Sequence, residues 1–276
     1  QLEHQKLSKV YALGVLSSDC ISSSAYGSEQ ILLALLPAFG LAGFAILMPM
    51  TAVIIAILLV VTISYRQVVS VYTKTGGSYV VARDNFGTGV AQVAAVALML
   101  DYIVTVAVQT AAGSAALISA FPALGAYNLE ITLGVIAILF YGNLKGVKEA
   151  GRIFATPTYL FFGSVSFVLI VGIIEKLTGH LHQTVLSSGT IQLGSSKSLL
   201  SFAAIYVLLR ALANGGSSLT GLEAISDGVA LFNVPEAVNA KKTLIVMSTL
   251  LGSLVAGVSW FAYKIHALPY QSGSPT

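Results

Sequence analysis

The chain has 276 residues, of which 56% are hydrophobic and only 9% are charged, and its formal net charge is +3. Soluble domains carry about 25% charged residues, so this composition excludes a water-facing globular surface, and so small a positive charge gives no indication of a nucleic-acid partner. The mean hydropathy of +0.86 indicates instead that the chain is embedded in a lipid bilayer.

Apolar stretches long enough to cross a bilayer recur along the chain. A spanning helix needs about 20 apolar residues, and by that rule we predict about seven spans. They lie near 9–36, 43–65, 89–119, 131–143, 153–175, 198–232 and 243–263. Ten of the 14 lysines and arginines fall in the connections on the side of the N-terminus. Cytoplasmic loops carry such an excess, so we expect a multi-pass plasma-membrane protein with a cytoplasmic N-terminus.

Two of the predicted spans are interrupted by small and hydroxyl residues. The first break covers residues 17–27 (SSDCISSSAYG), and the second covers residues 214–221 (NGGSSLTG). Serine and glycine loosen a helix or compete with its backbone bonds. Non-helical backbone at membrane depth is tolerated only where it lines a cavity or is buried in protein. Such breaks at corresponding positions indicate the binding site of a transporter.

The two breaks share a sequence pattern. Residues 23–29 (SSAYGSE) and 217–223 (SSLTGLE) both fit Ser-Ser-x-x-Gly-x-Glu. An odd number of crossings separates them, so the two copies would run in opposite directions. We therefore predict an all-α membrane protein with an inverted-repeat transporter core, in which residues 1–197 form the first repeat and 198–276 begin the second. A second repeat of five helices needs about three more spans, so we expect the chain to be part of a longer transporter.

Charged side chains inside the predicted spans are candidates for chemistry, because each is costly at the centre of a bilayer. Asp19 lies in the first break among serine hydroxyls, an oxygen-rich setting that suits a hard cation. A helix cap is the alternative role for Asp19. Asp101 lies near the middle of the third span, with Thr105 four residues on and therefore on the same helix face. A structural hydrogen bond between helices is the alternative there.

Glu223 follows the second break, with Thr220 on the same side. Burial favours the protonated form of a glutamate, whereas a neighbouring cation favours its charged form. This opposition is a simple means of coupling cation binding to proton release. Its alternative role is to anchor the loosened helix. Tyr26 and Tyr102 offer phenolic oxygens near Asp19 and Asp101, with aromatic packing as the alternative. Three further charged residues lie in the predicted spans. Glu29 either mirrors Glu223 or lies near the outer mouth, Arg210 either balances a carboxylate or lines an outer vestibule, and Asp227 is expected near the inner mouth.

Several segments resemble one family of transporters. They are residues 13–30 (LGVLSSDCISSSAYGSEQ), 64–67 (SYRQ), 76–79 (GGSY), 101–108 (DYIVTVAV) and 219–226 (LTGLEAIS). Together they resemble the KUP-type potassium uptake transporters, in the bacterial KimA-like branch of the amino acid–polyamine–organocation superfamily. The resemblance runs from about Leu7 to Tyr263. It implies the LeuT-like fold of five-plus-five inverted repeats.

The resemblance also implies proton-coupled potassium import, with K⁺ and H⁺ as cargo and no cofactor. The implied ion-binding residues are Asp19, Tyr26, Asp101, Tyr102, Thr105 and Thr220. Among them Asp19 and Asp101 supply the carboxylates for potassium, and Glu223 is the implied proton-coupling residue. Members of this family carry further helices and a cytoplasmic C-terminal domain that assembles dimers, so we expect the full-length protein to be a homodimer.

The alternative function is a proton-coupled amino acid or polyamine permease of the same superfamily. The start of a broken helix attracts the carboxylate of an amino acid, whereas Asp19 would repel it. A small cation is therefore favoured, and a polyamine stays compatible. The sequence has no P-loop, nucleophile elbow or metalloprotease motif, and it lacks the Gly-x-Gly-Asp signature of intramembrane aspartyl proteases. We therefore expect a transporter and not an enzyme.

Overall fold

The computed structural model describes residues 6–73, 76–144, 147–183, 194 and 201–269. Within these residues the regular structure is helical, and six segments are long and apolar enough to cross a membrane. They are Ala42–Val71, Thr88–Ala120, Pro122–Leu144, Ala155–Thr178, Phe202–Asp227 and Glu236–Ile265. The prediction of an all-α, multi-pass membrane protein is therefore confirmed.

The first predicted span is divided into short helices. They are α1 (Lys9–Leu16), α2 (Ser18–Ser23) and α3 (Gly27–Phe39). Serine hydroxyls at the divisions bond back to carbonyls of the preceding turn. Ser18 Oγ donates to Val15 O at 3.0 Å, and Ser24 Oγ donates to Ile21 O at 2.7 Å. Such bonds compete with the helical ladder, so the serine-rich sequence explains why this span is interrupted.

The remaining α-helices follow in chain order. They are α4 (Ala42–Val71), α5 (Gly77–Phe86), α6 (Thr88–Ala120), α7 (Asn128–Leu144), α8 (Val147–Thr178), α9 (Phe202–Gly216), α10 (Glu223–Asp227) and α11 (Glu236–Ile265). Short 3₁₀ helices occupy Pro122–Tyr127, Ser217–Leu219 and Val229–Leu231. The fourth predicted span, near 131–143, corresponds to the longer α7. Helix α5 lies in a stretch that the sequence predicts to be a connection between spans, because its composition is polar.

By its internal contacts the chain divides into two compact units. Unit 1 comprises Gln1–Ser18, Tyr65–Pro157 and Glu223–Thr243, and unit 2 comprises Asp19–Ser64, Thr158–Leu222 and Leu244–Thr276. The predicted boundary between the repeats, at residues 197 and 198, lies outside the described residues. So do three of the basic residues used to predict the orientation, namely Lys74, Lys145 and Lys197.

Unit 1 is built around α6, which packs against both α5 and α7. Thr132 Oγ1 on α7 donates to Ser114 Oγ on α6 at 2.8 Å. The short helix α10 packs against α5. Near the N-terminus, the backbone N–H of Leu7 donates to Leu231 O at 2.7 Å. These contacts hold α10, and with it Glu223, within unit 1.

The hydrophobic core of unit 2 forms where α3 packs against α9. Its buried members include Ile31, Leu32, Leu35, Leu36, Phe39, Phe44, Leu47, Ile54, Ala204 and Ala211. A Cβ on Gly215 would lie 2.6 Å from side-chain atoms of both Ile31 and Ile54, so any larger residue would force these isoleucines to shift. Small residues at helix interfaces allow close packing in membranes, and α9 uses Gly215 in this way.

Buried hydroxyl groups join three helices of unit 2. Ser259 Oγ on α11 lies 2.7 Å from Ser28 Oγ on α3, and it accepts a hydrogen bond of 2.9 Å from Thr51 Oγ1 on α4. Thr62 Oγ1 on α4 donates to Ser248 Oγ on α11 at 2.8 Å. Interhelical hydrogen bonds of this kind contribute about 1 kcal/mol each in membrane proteins. They fix the register of α4 and α11 and tie α3 to both.

Candidate functional site

The first break gathers oxygen atoms from the eight residues Asp19 to Tyr26. Asp19 lies in the first turn of α2. Ser22 and Ser23 each donate their hydroxyl to the main-chain oxygen of Asp19 at 2.9 Å. Ser23 Oγ also lies 2.8 Å from the phenolic oxygen of Tyr26, which immediately precedes α3. Hydroxyl, phenol and main-chain carbonyl oxygens are therefore adjacent at this break.

The second break separates α9 from α10. Helix α9 tightens into the 3₁₀ helix Ser217–Leu219, and Thr220 then adopts an extended conformation with φ −63° and ψ 152°. Gly221 has a φ of +84°, a left-handed conformation that suits glycine. Thr220 Oγ1 donates to Ser217 O at 3.0 Å. The backbone is thus non-helical within the segment Phe202–Asp227, which is apolar enough to span a membrane.

The two breaks contact each other within unit 2. Ser23 Oγ of the first break lies 3.4 Å from Thr220 Oγ1 of the second. A Cβ on Gly27 would lie 2.7 Å from Ser218 Cβ, so this approach requires glycine. The two segments that share the Ser-Ser-x-x-Gly-x-Glu pattern are therefore neighbours in space.

The carboxylate of Asp19 lies at this junction. A Cβ on Gly221 would lie 2.8 Å from Asp19 Oδ2 and 2.8 Å from the backbone nitrogen of Cys20. The charged group of the first break therefore lies against the backbone of the second. We define the break cluster as Asp19, Ser23, Tyr26, Thr220 and Gly221.

The chemistry of the break cluster suits a small cation. Carboxylate, hydroxyl and carbonyl oxygens are the ligands that hard cations prefer. The carboxylate of Asp19 also makes the junction unfavourable for an anionic group. The structure thus brings together three of the residues predicted to bind an ion, Asp19, Tyr26 and Thr220. Their role as ion ligands stays a prediction.

Unit 1 contains a second group of ionisable side chains, arranged around Tyr65 on α4. The phenol of Tyr65 lies within electrostatic reach of Asp101, Glu223 and Asp227. Tyr102 Oη donates a hydrogen bond of 2.9 Å to Asp227 Oδ2. We define the acidic cluster as Tyr65, Asp101, Tyr102, Glu223 and Asp227.

The other predicted site residues lie in unit 1. Asp101, Tyr102 and Thr105 belong to α6, and Asp101 and Thr105 are one helical turn apart, on the same face. Glu223 is the first residue of α10. The hydroxyl of Tyr102 donates to the carboxylate of Asp227. The roles of these residues in ion binding and proton coupling stay predictions.

Two members of the acidic cluster had no such role in the sequence analysis. Tyr65 lies in the SYRQ segment that carries part of the family resemblance, and Asp227 is expected near the inner mouth of the pathway. Asp227 lies on α10 with Glu223, and Tyr65, which is hydrogen-bonded to Ser78, is within electrostatic reach of both. A signal for Asp227 was present, because it follows Glu223 by four residues and so shares its helix face.

Comparison with known proteins agrees with this architecture. The chain is similar to the protein named "Potassium transporter KimA" of Bacillus subtilis (strain 168), with 38% identity over 267 residues. The similarity covers 96% of this chain and 42% of that protein, so the chain spans less than half of its relative's length. It confirms the resemblance to KimA-like transporters. A family model described as "Amino acid permease" matches residues 11–265, and the chain therefore belongs to this amino acid permease family.

Proposed function

We propose that the chain forms the ion-binding core of a secondary active transporter that imports potassium by proton symport. The observation that carries the proposal is the position of the Asp19 carboxylate against Gly221, at the contact between two interrupted helical segments. Transporters bind substrates and coupling ions where discontinuous helices meet at membrane depth. A negative charge at such a place favours a cationic cargo.

The oxygens near Asp19 can replace the water around a dehydrated ion. Tyr26 and Thr220 contribute hydroxyl groups within the break cluster. Rings of oxygen ligands that substitute for hydration water are the usual means of binding alkali cations. In unit 1, Asp101, Tyr102 and Thr105 are the further proposed ligands, with Asp101 as the second carboxylate.

Potassium is the proposed cation because of the named relative. The protein that is 38% identical over 96% of this chain is described as a potassium transporter. Under this proposal potassium and protons are cargo, and the transport cycle uses no cofactor.

Glu223 is the proposed proton carrier. It begins α10 and follows Thr220 by three residues, directly after the second break. A carboxyl group responds to nearby charge by holding or releasing its proton. Arrival of a cation near the break and protonation at Glu223 are thereby linked in one transport cycle.

A proton-coupled amino acid or polyamine permease is the second candidate, and the match to the amino acid permease model favours it. The carboxylate of an amino acid would meet the charge of Asp19. Two like charges about 4 Å apart repel by about 4 kcal/mol at an effective dielectric constant of about 20. A polyamine carries only positive groups, so it is the form of this candidate that the break cluster accommodates.

Rubidium uptake by the full-length protein, expressed in a host that requires potassium import, tests the proposal. We expect Asp19→Asn to lower uptake at least about tenfold, because a charge-assisted ligand is lost. Glu130→Gln is the matched control, since Glu130 is an exposed carboxylate in the first turn of α7. Unchanged uptake in Asp19→Asn would contradict the cation site. Uptake of labelled spermidine or alanine without any rubidium uptake would support the permease instead.

The proposed setting is the plasma membrane, with a cytoplasmic N-terminus and a homodimeric full-length protein. The excess of lysine and arginine in alternate connections supports the orientation. A reporter enzyme that is active only in the cytoplasm, fused ahead of Leu7, checks it. An inactive reporter on a correctly inserted protein would contradict the orientation.

A further inference from the structure

Asp227 connects the short helix α10 to two other helices of unit 1. We propose that Asp227 is a positioning residue, which fixes α10 in the orientation from which the Glu223 carboxyl exchanges its proton. This inference rests on the proposed function, because it concerns the proton carrier of that transport cycle. Asp227 acts through Glu223 and contacts no substrate in this proposal.

Helix α10 is too short to hold its own direction. It contains only the five residues Glu223–Asp227. Non-helical residues precede it, and the separate 3₁₀ helix Val229–Leu231 follows it. Isolated helices shorter than about 12 residues are marginally stable in water even with favourable sequences. Contacts with neighbouring helices must therefore set the orientation of α10.

The first contact joins Asp227 to α6. Tyr102 Oη donates to Asp227 Oδ2 at 2.9 Å. A hydrogen bond from a hydroxyl to a carboxylate is stronger than a bond between neutral groups. The 33-residue helix α6 thus provides a long, regular support for the end of α10.

The second contact joins Asp227 to the start of α5. Gly77 is the first residue of α5 and has a φ of +24°, and a Cβ on it would lie 1.7 Å from Asp227 Oδ1. The same Cβ would lie 3.2 Å from the backbone nitrogen of Asp227. The carboxylate therefore occupies space that any other residue at position 77 would fill. The N-terminal end of a helix such as the ten-residue α5 also attracts negative charge.

The position of α10 controls the surroundings of Glu223. Glu223 and Asp227 are four residues apart on one helix, so they share a face. Tyr65 on α4 lies near both of them, and it also lies near Asp101 on α6. Ionisable groups from α6 and α10 are thus within electrostatic reach of the same phenol, that of Tyr65 on α4. A small rotation of α10 would change the distances from Glu223 to each of these groups.

Two rubidium fluxes of the full-length protein in lipid vesicles test this role. One is uptake driven by an imposed proton gradient, and the other is exchange of rubidium for potassium without a gradient. Only the driven flux requires Glu223 to release its proton in each cycle. We expect Asp227→Ala to lower driven uptake about tenfold and to change exchange less than about twofold, as for the loss of one hydrogen bond to a charged group. Equal loss of both fluxes would overturn the proposal, because a merely structural role predicts it.

Two further variants separate geometry from charge. Gly77→Ala should reproduce the effect of Asp227→Ala, because its methyl group takes the place of Oδ1. Gly89→Ala on α6 is the matched control, since no atom of another described segment lies within 4 Å of the added Cβ. Asp227→Asn can still accept from Tyr102 through its amide oxygen, so it should recover part of the driven uptake. An asparagine variant no better than alanine would overturn the hydrogen-bonding role.

Failure of the proposed function has a different signature. If the unsubstituted protein shows neither rubidium flux, the transport proposal itself is wrong, and the role of Asp227 in it is also wrong. If the unsubstituted protein transports rubidium, and both Asp227→Ala and Gly77→Ala keep full driven uptake, only the positioning role is overturned.

Discussion

Replacing Gly221 by alanine places a methyl group where the Asp19 carboxylate meets the second break. The added Cβ would lie 2.8 Å from both Asp19 Oδ2 and the backbone nitrogen of Cys20. The backbone nitrogen cannot withdraw unless α2 moves. A left-handed conformation costs an L residue about 1–2 kcal/mol. Overpacking adds about 1–3 kcal/mol, so we expect a total loss of stability of about 2–5 kcal/mol, together with displacement of the carboxylate.

Thermal unfolding of the purified protein and rubidium uptake measure these two effects. A loss of 1 kcal/mol lowers Tm by about 2–4 °C in chains of about 150–250 residues, so the expected drop is about 4–20 °C. Uptake should fall by more than the loss of folded protein, because Asp19 leaves the break cluster. Gly163→Ala on α8 is the matched control, since within the described part of the chain no atom outside its own helix lies within 4 Å of its added Cβ. It should leave Tm and uptake unchanged.

The Gly221→Ala result can refute the reasoning in two ways. Unchanged Tm and unchanged uptake would mean that the methyl group is accommodated without moving Asp19, so the two breaks would not be in close contact. A lower Tm with normal uptake per folded protein would support the close packing of the two breaks. It would also show that the position of Asp19 against Gly221 does not matter for ion binding.

Two other substitutions test the buried hydroxyl groups and the proton carrier. Ser259→Ala removes the common partner of Ser28 and Thr51 and should lower stability by about 1–2 kcal/mol in thermal unfolding, whereas the exposed Ser253→Ala should not. An unchanged Tm in Ser259→Ala would contradict the contribution of this network. Glu223→Gln should remove the dependence of rubidium uptake on an imposed proton gradient while rubidium–potassium exchange continues. Gradient dependence that persists in this variant would argue against proton coupling at Glu223.

The positions of the breaks could be predicted from sequence because their cause is local. Serine and glycine weaken a helix through groups within a few residues of themselves, whatever the rest of the fold does. The contact between Ser23 and Thr220 is different, because these residues are 197 positions apart. It depends on how α3 packs against α9, and periodicity alone does not give that packing.

The acidic cluster was only partly predictable for a related reason. Helical spacing places Glu223 and Asp227 on one face, but it does not say which residues that face contacts. The partner at the start of α5 is Gly77, whose contribution is the absence of a side chain. The pattern of apolar residues cannot reveal such a contact. Helix α5 itself is not predicted from the sequence, because its composition is too polar for a membrane span.

The shared pattern of the two breaks does not produce symmetric contacts. Ser24 and Ser218 occupy the same position in the pattern, and so do Gly27 and Gly221. Gly27 lies against Ser218, whereas the atoms nearest to a Cβ on Gly221 belong to Asp19 and Cys20 and not to Ser24. A carboxylate therefore takes the place that a serine would have in a symmetric junction. The contact between the two breaks is thus asymmetric, and it is Asp19 that brings a carboxylate against the backbone of the second break.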